Sequence, residues 1–208
     1  MSLRVMRNAL FLFLLTGSAL ASAASLSVEV RDAGGAPLAD AVVYAEPVSG
    51  QTLPKAAVKT AQIEQRKRRF NPLVTVVQVG TEISFPNNDT VKHHVYSFSP
   101  PKVFDLPLYS GTSAAPQLFD KAGLVVLGCN IHDQMIAYVD VVDTPFFGKT
   151  DAAGKLTIEG LPPGKYQLKA WHYNLPITVP FVEQGLTMIG ADGTASFKLE
   201  LKPGATPK

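Results

Sequence analysis

Leu124 to Val142 reads LVVLGCNIHDQMIAYVDVV, two apolar runs separated by Gly128-Cys129-Asn130-Ile131-His132-Asp133-Gln134-Met135. Leu124–Leu127 and Ile136–Val142 are dominated by branched aliphatic residues, which suit extended backbone. The segment between them contains C-x-x-H-x-x-M. A short inter-strand loop of this kind presents a thiol, an imidazole and a thioether to one point.

The same texture continues on both sides. Ser25–Val30 alternates with period two, Asp32–Pro37 is a turn cluster, and Asp40–Ala45 reads as the answering strand. Leu73–Val79 and Glu82–Phe85 flank Gly80-Thr81 and read as paired strands. Val91–Phe98, Lys155–Ile158, Tyr166–Trp171, Ile177–Val182 and Ala195–Leu201 follow. Helical spacing is almost absent, and sixteen Gly and sixteen Pro cut the chain into short pieces. The prediction is an all-β protein of the sandwich type. Lys202–Lys208 is expected to be a flexible tail.

Residues 1–23 are expected to be a cleaved export signal. Arg4 and Arg7 precede the apolar run Ala9–Leu15, and Ala21-Ser22-Ala23 offers a small-residue cleavage site. That run is far shorter than the ~20 residues that span a bilayer, and no later segment is long enough. The mature chain is then expected in the periplasm or another exported location. Without Arg4 and Arg7 the mature chain carries 17 basic and 17 acidic residues. A balanced charge argues against nucleic acid as a partner, since that binding needs a clustered basic excess. Cys129 is the only cysteine. It cannot form an internal disulfide, so in an oxidising compartment it is a free thiol or a ligand.

Thiolate, imidazole and thioether together suit copper in both oxidation states, and two imidazoles, a cysteine and a weak axial methionine mark an electron-transfer site. The loop supplies one imidazole, so a second must come from elsewhere. Asn87-Asn88-Asp89-Thr90-Val91-Lys92-His93-His94-Val95 offers two. Adjacent strand residues point to opposite faces, so only one of His93 and His94 is expected to reach the metal. Zinc is disfavoured because structural zinc sites gather more Cys or His. No G-x-S-x-G, phosphate-binding glycine loop or H-E-x-x-H is present, so hydrolytic catalysis has no support.

Phe70-Asn71-Pro72, the run Gly80 to Phe85 with Asn87 and Asp89, His93-His94-Val95 and the C-x-x-H-x-x-M loop resemble the plastocyanin-like cupredoxins, in the short-loop variety of amicyanin-type members. The resemblance covers residues 62–142 and implies a Greek-key sandwich holding one mononuclear type 1 copper ion. It places the ligands at His93, Cys129, His132 and Met135. It also implies Cys129 as thiolate, the two histidines as equatorial donors, Met135 as the long axial contact and His132 as the exposed edge. His94 is left an outer role near the loop. The expected function is one-electron carriage between redox partners, such as a cytochrome or a dehydrogenase, and not catalysis. Copper binding or delivery without redox duty is the alternative, and an adhesion or carbohydrate-binding module with an incidental metal site is a second. Two departures stand out: Leu127 where members often have an aromatic, and Asp133 beside the loop.

Two further stretches read together. Gly35-Ala36-Pro37-Leu38-Ala39-Asp40-Ala41-Val42-Val43 and Thr150-Asp151-Ala152-Ala153-Gly154, continuing through Leu161-Pro162-Pro163-Gly164-Lys165-Tyr166, resemble carboxypeptidase regulatory-like (transthyretin-like) domains. The expected organisation is residues 24–59 and 144–201 as two parts of one such module, with a copper domain over 60–143 between them. That pairing is similar to exported cupredoxins associated with methylamine utilisation. Arg66-Lys67-Arg68-Arg69 is read as a solvated strand, the alternative being a basic patch that steers an acidic redox partner, and His172 as structural.

Overall fold

A computed structural model describes residues 24–48, 53, 59–111 and 115–204. The expected export signal and the end of the tail, 205–208, lie outside the described residues.

The described residues form seventeen strands and no helix. In chain order they are β1 (Ala24–Asp32), β2 (Val42–Pro47), β3 (Thr60–Gln62), β4 (Glu64–Arg66), β5 (Arg69–Asn71) and β6 (Val74–Gln78). Next come β7 (Thr81–Ser84), β8 (His93–Ser99), β9 (Lys102–Tyr109), β10 (Gln117–Phe119), β11 (Gly123–Gly128) and β12 (Ile136–Val142). The last are β13 (Phe147–Lys149), β14 (Lys155–Leu161), β15 (Gly164–Trp171), β16 (Val182–Met188) and β17 (Gly193–Leu199). The architecture is all-β. No helix of the described residues is long and apolar enough to cross a membrane.

One pair of sheets, β6-β12-β11-β8-β9 and β10-β7-β3, encloses a core that includes Ile63, Phe85, Phe119, Leu127 and Val139. A second pair, β14-β1-β17 and β13-β2-β15-β16, encloses Leu26, Val30, Val43, Leu168 and Phe197. The strands before and after the middle block therefore bond to each other, with β1 pairing with β14 and β17, and β2 with β13 and β15. The five-stranded sheet serves both cores by alternation. On β12, Ala137, Val139 and Val141 face the first core, while Tyr138 and Val142 face the second.

The two motif stretches far apart in sequence are joined through Thr150. Its hydroxyl donates to Leu38 O at 2.6 Å and accepts the Ala41 N–H at 2.9 Å. Asp151 then closes the next turn, its Oδ1 accepting the N–H groups of Ala153 and Lys155. Gly154 stands in the left-handed region at φ 72°. An added Cβ there would lie 2.5 Å from Val30 O, so only glycine fits.

Several expectations are corrected. Strands β6 and β7 are not a hairpin: β6 pairs with β12, whereas β7 pairs with β3 and β10. The Val79 N–H donates to Val142 O and the Gly80 N–H to Phe119 O, so consecutive amides join opposite sheets. Gly80, at φ 90°, allows that crossing. Likewise β1 and β2 lie in different sheets. The strand expected over Ile177–Val182 begins at Val182 and continues to Met188, paired with β15. The strand expected over Arg66–Arg69 is broken by a turn at Lys67-Arg68 into the ends of β4 and β5, and β3, β9, β10 and β13 lie outside the expected set; five of these six strands have only three residues, too few to show a period. Lys202, expected at the start of a frayed tail, donates its N–H to Asn174 O at 2.9 Å.

Candidate metal centre

Two distant segments meet because β11 runs antiparallel to β8. The end of β11, where Cys129 follows Gly128, thus lies beside the beginning of β8, which is His93. The loop is folded by a Met135 N–H to His132 O bond of 2.8 Å, which turns the chain back into β12. Gly128 packs closely on Tyr96, whose ring a Cβ there would approach to 2.7 Å.

His93, Cys129 and His132 each bring one ligand-type atom within 4.8 Å of the others. Cys129 Sγ is 3.9 Å from His132 Nδ1, and the two histidine rings meet edge-on with centroids 4.9 Å apart. His93 and Cys129 are buried, His132 half-buried. Met135 is 1% exposed and belongs to the same core cluster as Cys129.

The orientation of His93 is set by its neighbours. Its Nε2 lies 2.9 Å from Asp89 Oδ2, which also accepts the Arg68 N–H at 2.7 Å. These bonds, the one to His93 foremost, hold the Asp89 carboxyl down at about 2. Asp89 is therefore ionised at neutral pH and serves as the acceptor of the His93 Nε2 bond. Nδ1 is buried and without a protein partner among the described residues. A buried ring nitrogen in that state is costly unless something binds it.

Asn87 braces the segment that carries Asp89. Its Nδ2 donates to Val91 O and Tyr109 O, and its Oδ1 accepts the Asp89 N–H. Asn87 and Asp89 belong to the sequence pattern noted above, which by itself assigns them no role. The available signal was an acid four residues before a candidate ligand. Lys67 and Arg68, both at positive φ, form the tight turn between β4 and β5, which explains how the backbone of the basic run reaches Asp89. The four side chains of that run are exposed, as expected of solvated residues.

His94 points elsewhere. Its Nε2 bonds Asp105 on β9 at 2.5 Å, and its ring packs on Tyr96. The expected outer role near the loop is thus corrected: where the pairing of β8 with β9 is irregular, between His93 and Val95, His94 bonds β9 instead. Leu127 is fully buried, while Asp133 is exposed. Around Cys129 the surface mixes exposed Phe98, Ile131 and Ile136, at 78%, 48% and 41%, with exposed Asn130 and Asp133. His172, read as structural, is buried in the other core region and accepts the Asn174 N–H through Nδ1 at 3.2 Å.

The donor set fits a soft or borderline ion: one thiol, two imidazoles and a nearby thioether, with one imidazole nitrogen already orphaned. No protein-family model and no curated protein matches the chain. Solved structures similar to it include a purple cupredoxin from Nitrosopumilus maritimus, 24% identical, spanning 39% of this chain and 99% of that one at TM-score 0.36. The copper-containing nitrite reductase of Thermus scotoductus is 24% identical over 47% of this chain and 25% of that one, at TM-score 0.37. A reduced amicyanin variant is 19% identical over 48% and 99%, also at TM-score 0.37. Each likeness spans under half of this chain.

Proposed function

We propose that this chain is an exported mononuclear type 1 copper protein that carries single electrons between redox partners and has no catalytic activity of its own. The observation that carries the reading is the cluster of His93, Cys129 and His132, whose ligand-type atoms lie within 4.8 Å of one another, with Nδ1 of His93 buried and unpartnered among the described residues. The proposed ligands are His93, Cys129, His132 and Met135. Bound copper would supply a one-electron couple at this centre. The protein's part is to hold the donors in place before the ion arrives, so that either oxidation state meets the same cage. Asp89 fixes the tautomer and aim of His93, a role typical of partners behind ligating histidines. The β-bonded ends of β8 and β11 keep the donors from spreading.

Half-buried His132 is the proposed route for electrons, and the apolar surface of Phe98, Ile131 and Ile136 the proposed docking face for a cytochrome or dehydrogenase. A lone cysteine and the leader-like residues 1–23 support export to an oxidising compartment. The joining of strands across the middle block supports a copper domain over 60–143, set between the two parts (24–59 and 144–201) of a transthyretin-like module. That combination is the basis for the narrower reading as a cupredoxin of the methylamine-utilisation group.

Visible and electron-paramagnetic-resonance spectra after Cu(II) addition test the proposal. An intense thiolate-to-copper band is the expected result. A colourless protein that takes up only Cu(I) would instead indicate delivery, and failure to bind either ion would end the copper reading.

A further inference from the structure

The face of β12 turned away from the metal centre borders a second site. Between β11, β12, β15 and the segment 173–181 lies a cleft of about 650 Å³, within the usual range for small-molecule sites. Tyr138, Trp171 and Tyr173 form one aromatic wall, with Tyr138 centroids 5.5 Å from Trp171 and 5.8 Å from Tyr173. Asp140, two residues along β12 from Tyr138, lines the same cleft.

Asp140 is 6% exposed, and among the described residues no hydrogen bond or ion pair meets its carboxylate. Burial, and then Glu46, push its carboxyl up to about 6 against the pull of Lys169. Tyr44 reports the same field: its hydroxyl is pushed up first by burial and then by Asp140, Glu46, Glu183 and Asp143. Lys169 does not neutralise this field, because it is shared between Glu46 at 2.9 Å and Glu183 at 3.8 Å. Exposed Lys202 lines the cleft as well, and the carboxylates still outnumber the two lysines. Lys169 also shows what the cleft accepts, since its ammonium lies 4.6 Å from the ring centroid of Phe181 and 5.9 Å from that of Tyr44.

We propose that this cleft binds a small organic cation, its ammonium against Asp140 and its apolar body against Tyr138, Trp171 and Tyr173. An unpaired buried carboxylate is costly and has no packing advantage over Asn, so its placement beside aromatic faces is explained by a positively charged ligand. An anion would meet repulsion, and a neutral sugar would leave the charge uncompensated.

Trp171 is the only tryptophan, so intrinsic fluorescence reads this cleft directly. The experiment titrates the copper-free full protein with benzyltrimethylammonium, benzyl alcohol, benzoate and maltotriose. The expected result is a saturable change with the cation. The alcohol and the acid should bind at least roughly tenfold more weakly, and Asp140→Asn should weaken cation binding roughly tenfold to a hundredfold. Tyr173→Leu is a second variant, to be used if Asp140→Asn does not fold, and should also weaken the cation. No saturation by the cation, equal affinity for benzyl alcohol, or preference for maltotriose would overturn the proposal. Because copper is absent, failure here says nothing of the metal centre.

Discussion

His93 offers Asp89 its Nε2 at 2.9 Å and keeps its other ring nitrogen buried and unbonded. One contact thus engages one ring nitrogen and leaves the other open to a ligand, before any metal is present.

Asp89→Ala frees the His93 ring to rotate and lets the proton move between its nitrogens. Copper affinity is expected to fall roughly tenfold to a hundredfold. Competition titration against a copper chelator measures it, and the visible band should shift in the same variant. Unchanged affinity would mean that Asp89 only braces its loop.

Cys129→Ser replaces the thiolate by a poor donor for a soft ion. The copper-loaded variant should show no thiolate-to-copper absorption, while its β-type circular dichroism matches the parent. Persistent colour would contradict the ligand assignment.

Gly154→Ala places a methyl group 2.5 Å from Val30 O at a position with φ 72°. The expected destabilisation is about 2 kcal/mol or more, combining left-handed strain with the clash. Gly185→Ala is the control: an added Cβ there meets nothing within 4 Å, and the change should stay within about 0.5 kcal/mol. Urea unfolding of both variants makes the comparison. Equal effects would show that the turn at Gly154 can relax.

Asp140 gives stability a pH dependence opposite to that of a salt-bridged acid. Its carboxyl rises from 3.8 to about 6 on folding, through burial and Glu46, opposed by Lys169. The folded state holds this proton more tightly than the unfolded chain, so the contribution is present below about pH 4 and lost as pH rises through about 6. Asp140→Asn should therefore be more stable than the parent at pH 8, by an amount on the order of 2 kcal/mol, with the gap closing towards pH 4. Denaturant melts at three pH values test the sign. A variant that is less stable at pH 8 would show that the carboxylate has a favourable partner.

Much of the candidate site was legible because its key spacing is local. Cys129, His132 and Met135 share one loop, and period-two alternation already separates His93 from His94. Asp89 was harder to read, since an acid before a histidine is common and its meaning depends on Arg68 and Asn87 holding the same turn. The cleft at Asp140 could not be read. In sequence, Asp140 is simply a polar residue alternating with valines on what looks like a solvent-facing side of β12. Only the second sandwich, packed over that side, buries it.

The sequence by itself determined the strand-rich character, the turns at Gly80 and Gly154 and the order of the donors, because alternation, backbone freedom and loop spacing act over a few residues. The tertiary structure decided the partners: β6 with β12 rather than β7, β1 with β14 and β17 rather than β2, and His93 with Asp89. A strand's own pattern states which side is apolar, but its edge hydrogen bonds are the same for every neighbour, so pairing is settled only when whole faces compete for burial.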